Sequence, residues 1–338
     1  MSVAMELTTV ADDHAVIHDG AEVHRMDGLE PDTPYEFEGF HFRTLPHPGG
    51  ELLCTFATVN DVHFGETACG IIEGLDMGPI FSAAEGDPPY PEVMNQGAVA
   101  EILAADPARL VVKGDLTSKG TLEEYSDFLA CYEPAFGERL VHVRGNHDSY
   151  HGGSYASWPM QQVDLPGVTL AVLDTAIQEQ VGGQVTSEQA AWLDELCATA
   201  DRPVLVFGHH HAWSPESRQR PDNYFGISPD DSEVLIDIAA RRARFAGYFA
   251  GHTHRNRVRR FSLTAGVPWV EVACVKDYPG AWAEYKVYEG GVLQVFHRIS
   301  TPAALAWTEQ TRHMYAGSYA EYAMGDLADR CFVVTSSS

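Results

Sequence analysis

The sequence predicts an α/β protein whose main body is a two-sheet sandwich, with a short β appendage before it. Two observations lead to this fold class. Apolar runs that predict strands alternate with helix-forming segments between residues 52 and 250, and beyond residue 254 strand-like runs follow one another without a helix. Alternating strands and helices are typical of parallel strands covered by helices, whereas runs of strands alone favour antiparallel pairing. Together the two patterns fit a two-sheet α/β sandwich.

The predicted strands of the body each lie in a short apolar run. They span residues 52–59, 110–112, 139–143, 168–173, 203–207 and 246–250, followed by residues 269–273, 282–288 and 292–297, which we expect to pair antiparallel. The predicted helices span residues 95–105, 121–132, 186–198 and 230–244. Thr186 and Gln189 have the spacing of a capping box at the start of the third helix. Residues 64–92 are rich in Gly and Pro, and a loop of this length is more often functional than not.

Three segments are expected along the chain. Residues 1–50 alternate apolar and polar side chains between turn residues, which predicts a small β appendage, a partial fibronectin-like sandwich, and its linker. Residues 51–300 are expected to form the main domain. Residues 301–338 form an extension in which Tyr315, Tyr319 and Tyr322 repeat at helical spacing. Packing of this extension on the body is the favoured interpretation, and a lid near the site is the alternative.

The charge of the chain limits its partners. There are 48 Asp and Glu against 22 Lys and Arg, which gives a formal net charge of −26. Such a field repels nucleic-acid polymers and anionic membranes, and no apolar stretch is long enough to span a bilayer. The six cysteines are scattered and the first residues lack a secretory leader, so we expect reduced thiols and a cytoplasmic location. The oligomeric state stays open, with a homo-oligomer among the alternatives.

Five apolar runs end in clusters of Asp, Asn or His. The clusters are Asp61-Val62-His63, Gly114-Asp115, Gly145-Asn146-His147-Asp148, Gly208-His209-His210-His211 and Gly251-His252-Thr253-His254. Strand ends along one edge of an α/β sheet form a crevice in which ligands bind. Because the donors are oxygen and nitrogen without thiolate, they suit Mn, Fe, Zn or Co better than a structural zinc knot.

This ordered set of clusters resembles the motifs of the calcineurin-like metallophosphoesterase superfamily. The resemblance covers residues 52–298, and residues 114–121 and 145–148 are similar to the class III cyclic-nucleotide and glycerophosphodiester phosphodiesterase branch. It implies the αββα metallophosphoesterase sandwich and a hydrolase that cleaves small phosphodiesters by attack of a metal-bound hydroxide. Cyclic 3′,5′-nucleotides are candidate substrates. The alternative is a phosphomonoesterase or protein phosphatase with the same metal centre.

The resemblance also implies roles for single residues. Asp115 would bridge two divalent ions, Mn, Fe or Zn, about 3.5–4 Å apart. The further ligands would be Asp61, His63 and His254 at the first ion, and Asn146, His252 and one histidine of the 209–211 run at the second. We favour His209 over His210, because it is the first side chain after the strand. His147 would face the phosphate and donate a hydrogen bond or a proton to the leaving oxygen.

Other positions have two interpretations. Asp148 either orients His147 or a neighbouring ligand, or is an ordinary turn residue. The arginines after the last cluster either contact phosphate or pair with the acidic surface, and pairing is favoured; they are Arg255, Arg257, Arg259 and Arg260. His142 lies in an alternating strand pattern and is expected to pack on a sheet. Ser118 stands where purple acid phosphatases place a tyrosine ligand, so we do not expect a tyrosine-ligated ferric site.

Overall fold

The structure is a computed structural model, which describes residues 5–72 and 74–335. The outer parts of the two terminal segments predicted above lie outside the described residues. Strands β1 to β5 form the appendage and are Glu6–Val10, His14–Asp19, Glu22–Asp27, Pro34–Phe37 and Phe40–Arg43. Strands β6 to β17 are Leu52–Val59, Leu110–Lys113, Leu140–Val143, Met160–Leu165, Val168–Leu173, Val204–Phe207, Phe245–Ala250, Arg257–Arg260, Pro268–Glu271, Ala281–Tyr288, Gly291–Arg298 and Phe332–Thr335. Helices α1 to α8 are Tyr90–Ala105, Leu122–Phe136, Asn146–Ser149, Ser187–Thr199, Pro229–Arg241, Pro302–Thr311, Tyr319–Met324 and Leu327–Arg330.

Two six-stranded sheets form the body in the described part of the chain. The first has the strand order β17-β16-β15-β6-β7-β8, and the second has the order β13-β14-β12-β11-β10-β9. Strands β6, β7 and β8 run parallel, as do β10, β11, β12 and β14. The carboxyl ends of parallel strands meet at the same edge of a sheet. The clusters that follow β6, β7, β8, β11 and β12 therefore come together.

The space between the two sheets is filled by apolar side chains. Phe56, Phe207, Phe249 and Tyr285 are fully buried there, and the rings of Phe56 and Tyr285 stack with their centroids 4.5 Å apart. Helices α1 and α2 pack on the outer face of the first sheet, and α4 and α5 pack on the outer face of the second. This arrangement confirms the αββα sandwich predicted from the sequence.

The predicted helices exist, and the differences lie at their ends. Helix α1 begins at Tyr90, five residues before the predicted start. Pro91 lies in its first turn, where backbone N–H groups have no partner within the helix, so the missing hydrogen of proline removes no hydrogen bond. Helix α2 continues to Phe136 although Pro134 lies inside it. Helix α5 ends at Arg241 because β12 already begins four residues later. The capping box of α4 is present as predicted.

Several strands at sheet edges were not predicted. They are β1, β9, β13 and β17, each the outermost strand of its sheet. An edge strand has one neighbour only, so it does not need the continuous apolar pattern of a central strand. Strand β14 also differs from the expectation for residues 269–273. It runs antiparallel to β13 but parallel to β12, because β13 forms the return connection between them.

The appendage and the extension both contact the body. The carboxylate of Glu6 pairs with Arg312 at 2.7 Å and Arg298 at 3.5 Å, and the hydroxyl of Thr9 donates to the carbonyl of Phe296. Residues 302–335 contribute α6, α7, α8 and β17, and β17 pairs with β16. The extension therefore packs on the body, while the domain bounds at residues 50 and 300 stay a prediction.

The thiols and the helices give two further observations. All six cysteines are unpaired in the structure. Burial raises the pKa of Cys54 and Cys131 to about 11, so these thiols stay protonated at neutral pH. Among the described residues, no helix has the length and apolar character that crossing a bilayer requires.

Replacing Phe56 by Ala should lower the free energy of unfolding by about 3–5 kcal/mol, because the lost ring leaves a cavity between the sheets. Chemical denaturation of the metal-free protein, followed by circular dichroism, measures the change. The control is Leu122→Ala, since Leu122 is 71% exposed and its loss should change stability by less than about 0.5 kcal/mol. Equal losses in both variants would contradict the placement of Phe56 in the core.

Candidate metal centre

Five turns carry the predicted ligands to the shared edge of the two sheets. Of these ligands, Asp61, His63, Asp115, His252 and His254 have φ between 49° and 69°. The left-handed region is uncommon for residues other than glycine, and its use is typical of strained backbone at functional sites. Backbone hydrogen bonds hold this geometry: the amides of Val62 and His63 donate to the carbonyl of Asp115 at 3.0 and 2.9 Å.

The buried carboxylate of Asp115 lies between two histidines. Its Oδ2 is 3.3 Å from Nε2 of His63 and 3.3 Å from Nε2 of His209. Oδ1 of Asp61 is 3.3 Å from Nε2 of His254, and Oδ1 of Asn146 is 3.1 Å from Nε2 of His209. The predicted ligands therefore form two groups that share Asp115, as the bridging hypothesis requires.

Three histidines are anchored from outside the centre through one ring nitrogen. Nδ1 of His209 donates to the carbonyl of Lys113 at 2.9 Å, and Nε2 of His252 donates to that of Phe225 at 2.7 Å. Nδ1 of His147 donates to the carbonyl of Ser118 at 2.6 Å. Because a carbonyl can only accept, each bond fixes a hydrogen on that nitrogen, so that in the neutral ring the other nitrogen carries none and can act as a ligand.

His63 and His254 face carboxylates instead of carbonyls. Nδ1 of His63 is 3.8 Å from Oε2 of Glu66, and Nδ1 of His254 is 3.8 Å from Oδ2 of Asp277. Both ring nitrogens of His63 are buried and have no hydrogen-bond partner among the described residues. Buried polar atoms without partners are uncommon in folded proteins. A metal ion bound between a ring nitrogen of His63 and the nearby carboxylates would supply such a partner. Ligand atoms of Asp61, His63 and His254 lie within 4.8 Å of one another, and so do those of His209 and His252, so the residues present fit two divalent ions.

The contacts of the histidine run distinguish its members. His210 has both ring nitrogens in hydrogen bonds, with the hydroxyl of Thr175 at 2.8 Å and with the carbonyl of Val181 at 3.1 Å. Nε2 of His211 bonds to the hydroxyl of Tyr224 at 2.7 Å. Of the three histidines in the run, only His209 directs a nitrogen, Nε2, at Asp61 and Asp115. This geometry favours His209 as the ligand, and its role stays a prediction.

The electrostatics of the site favour the metal-binding protonation state at Asp115 and His252, but not at His209. Burial raises the pKa of Asp115, but the imidazoles of His209 and His147 outweigh burial and hold that pKa well below its ordinary value. Burial lowers the pKa of His252 to about 3, so this ring is neutral at neutral pH. At His209 the carboxylates of Asp115 and Asp61 outweigh burial and raise the pKa to about 9, so metal competes with a proton there.

Asp148 acts on backbone rather than on His147. Its carboxylate accepts hydrogen bonds from the amides of Gly145, Leu116 and Thr117 at 2.8 to 3.0 Å. It thereby joins the turn after β7 to the turn after β8. This arrangement agrees better with the interpretation of Asp148 as a turn residue than with a contact to His147. The two turns that Asp148 joins carry Asp115 and Asn146.

Two of the four arginines that follow the last cluster have a buried partner. Arg255 and Arg259 both pair with Glu271, at 2.8 and 3.3 Å, and this glutamate is 1% exposed. Pairing was the favoured interpretation, but the partner is a core carboxylate and not the acidic surface. His142 is buried and bonds to the hydroxyl of Tyr125 at 2.9 Å, in agreement with a sheet-packed residue.

Some residues that contact the predicted ligands were not predicted. The side-chain amide of Asn60 donates to Oδ2 of Asp61 at 2.5 Å, and the hydroxyl of Tyr150 accepts from the side-chain amide of Asn146 at 2.9 Å. Both are near in sequence to the ligand that they contact, so adjacency to a cluster was the available signal. Lys276 and Asp277, which also lie beside the centre, had no such signal.

A comparison with known families identifies the chain. The model of the calcineurin-like phosphoesterase family matches residues 54–256, which is more than half of the chain. The chain belongs to the calcineurin-like phosphoesterase family. The matched region contains every predicted ligand and His147, so the family is assigned on the same segment that forms the centre.

Two curated proteins and one solved structure are similar to this member of the family. A cAMP/cGMP dual specificity phosphodiesterase of Mycobacterium tuberculosis is 28% identical over 51% of this chain and 55% of its own length. The Arcobacter nitrofigilis protein named "Probable glycerophosphodiester phosphodiesterase GpdQ" is 26% identical over 51% of this chain and 67% of its own length. A dimetal phosphatase from Danio rerio, 14% identical, covers 85% of this chain and 100% of its own with a TM-score of 0.57, and it supports the fold.

His209→Ala should remove one of two bound ions, whereas His210→Ala should keep both and lower stability instead. The reason is that His209 directs a nitrogen at Asp61 and Asp115, while both nitrogens of His210 are bonded elsewhere. Elemental analysis of protein reloaded with Mn²⁺, together with thermal unfolding, separates the two effects. Loss of metal in His210→Ala alone would show that the ligand is one residue further along.

Proposed function

We propose that the protein is a metal-dependent phosphoric ester hydrolase that cleaves small phosphodiesters, with 3′,5′-cyclic nucleotides as the first candidates. The observation that carries this proposal is the buried carboxylate of Asp115, 3.3 Å from His63 on one side and 3.3 Å from His209 on the other. Two similar proteins named as phosphodiesterases support a diester substrate. A phosphomonoesterase or protein phosphatase with the same centre is the alternative.

The chain supplies ligands for two divalent ions, Mn, Fe or Zn. Asp61, His63 and His254 would hold one position, Asn146, His209 and His252 the other, and Asp115 would lie between them. When bound, such ions neutralise phosphate oxygens and lower the pKa of a coordinated water towards about 7. In a chain with a net charge of −26, this local positive charge is what attracts an anionic ester.

We assign His147 the role of moving a proton, and two contacts support this assignment. Its Nδ1 donates to the carbonyl of Ser118 at 2.6 Å, and its backbone amide donates to Oδ1 of Asp115 at 2.9 Å. The ring is therefore held at a fixed distance from the bridging carboxylate, with Nε2 as the nitrogen that can exchange a proton. Protonated at both nitrogens, His147 donates from Nε2 to the leaving oxygen while Nδ1 keeps its bond to the carbonyl.

Protein stripped of metal and reloaded with Mn²⁺ should hydrolyse diesters with a higher kcat/KM than the matching monoesters. Comparing bis-p-nitrophenyl phosphate with p-nitrophenyl phosphate gives the ratio, and a panel of 3′,5′-cyclic nucleotides and glycerophosphodiesters gives the substrate class. Asp115→Asn, purified in the same way, is the control for contaminating phosphatases. A higher kcat/KM on the monoester would overturn the diester proposal in favour of the alternative.

His147→Ala should lower kcat by roughly 10²–10⁴-fold on a diester with a poor leaving group, the range for loss of a general acid. Because His147 is not among the proposed ligands, the metal content should stay near that of the unmodified protein. A p-nitrophenolate leaving group needs no proton, so its hydrolysis should be less affected. Equal loss on both kinds of diester would count against proton donation by His147.

A further inference from the structure

A buried ion network lies behind one half of the candidate centre. The amine of Lys276 is 2.7 Å from Glu66 and 3.2 Å from Asp277, and its side chain is 5% exposed. Burial alone would lower the pKa of this amine, but the two carboxylates outweigh burial and hold the pKa well above its ordinary value. One buried cation therefore joins two carboxylates.

Each of these carboxylates faces a different histidine of the centre. Glu66 lies 3.8 Å from Nδ1 of His63, and Asp277 lies 3.8 Å from Nδ1 of His254. These separations are ion-pair distances and are longer than hydrogen bonds. Both histidines belong to the metal position that includes Asp61, whereas the anchors of His209 and His252 at the other position are backbone carbonyls. The network is therefore specific to one position.

Two tyrosines of helix α7, in the extension, form hydrogen bonds with this network and with the last cluster. The hydroxyl of Tyr319 donates to Oδ1 of Asp277 at 2.6 Å, and the hydroxyl of Tyr322 donates to the carbonyl of Thr253 at 3.0 Å. Thr253 lies between the two histidines of the last cluster, whose backbones have positive φ. The side chain of Asn256 adds bonds to the carbonyls of residues 323 and 324, at 3.2 Å each.

We propose that Glu66, Lys276, Asp277 and Tyr319 form a positioning network that sets the affinity of the metal position held by Asp61, His63 and His254. The other position is independent of it. Carboxylates behind a ligating histidine fix the orientation of the ring and raise its basicity, and their loss typically lowers metal affinity roughly 10–100-fold. The inference rests on the proposed dinuclear centre. It gives the extension a role at the centre without contact with substrate.

The test is a titration of Mn²⁺ into the metal-free full chain, by calorimetry and electron paramagnetic resonance. Asp277→Asn should weaken one of the two binding steps by roughly 10–100-fold and leave the other unchanged. The signal of the spin-coupled pair should then appear only at higher Mn²⁺ concentrations. Tyr319→Phe removes a single hydroxyl and should weaken the same step in the same direction, so the test holds even where Asp277→Asn folds poorly.

Tyr315→Phe is the matched control. Its ring lies 5.3 Å from that of Tyr319 on the same segment, whereas the bonds to Asp277 and Thr253 come from Tyr319 and Tyr322. This variant should bind both ions as the unmodified chain does. Equal weakening of both steps in Tyr319→Phe, or no change in either network variant, would overturn the inference alone. An unmodified chain that binds fewer than two ions would overturn the dinuclear function and this inference together.

Discussion

The arrangement of the site depends on one buried carboxylate. Asp115 follows a strand of the first sheet, and it lies 3.3 Å from a histidine of that sheet and 3.3 Å from His209, which follows a strand of the second. A buried charge is costly unless it is paired, so the two sheets must keep their relative position. The ring of Phe207 in the second sheet contacts the rings of Phe56 and Tyr285 in the first edge to face, with centroids 5.9 and 6.0 Å apart. These contacts thereby fix the distance between two sets of ligands in addition to stabilising the fold.

Most of the candidate centre could be predicted from the sequence, because its residues directly follow apolar runs. A run that ends at Gly114 or Gly145 predicts a strand end, and the polar residues that come next predict a crevice. That pattern is local, so a single sequence contains it. The choice between His209 and His210 was different in kind. It depends on which ring nitrogen is bonded to Lys113, Thr175 or Val181, and these partners are far away along the chain.

The network behind His63 and His254 could not be found in the sequence. Glu66 and Lys276 are 210 positions apart, and Asp277 and Tyr319 are 42 positions apart. No period or short motif links such residues, since their contact exists only after the sheets and the extension have packed. The edge strands were missed for a related reason. Strand β13 reads Arg-Val-Arg-Arg, and its place in the sheet depends on pairing with β14 rather than on its own pattern.

The order of strands in the first sheet has a consequence for how the protein folds. Strand β6, which leads to Asp61 and His63, pairs with β15 through partners as distant as Thr58 and Ala283. Strands β6 and β7 also pair with their successors in the chain, as do β10 and β11 in the second sheet. Contacts between distant segments cost more loop-closure entropy and form more slowly. We therefore expect the strands that lead into the crevice to pair with their chain neighbours first and β15 to join β6 later, so the ligand-bearing turns assemble before the first sheet is complete.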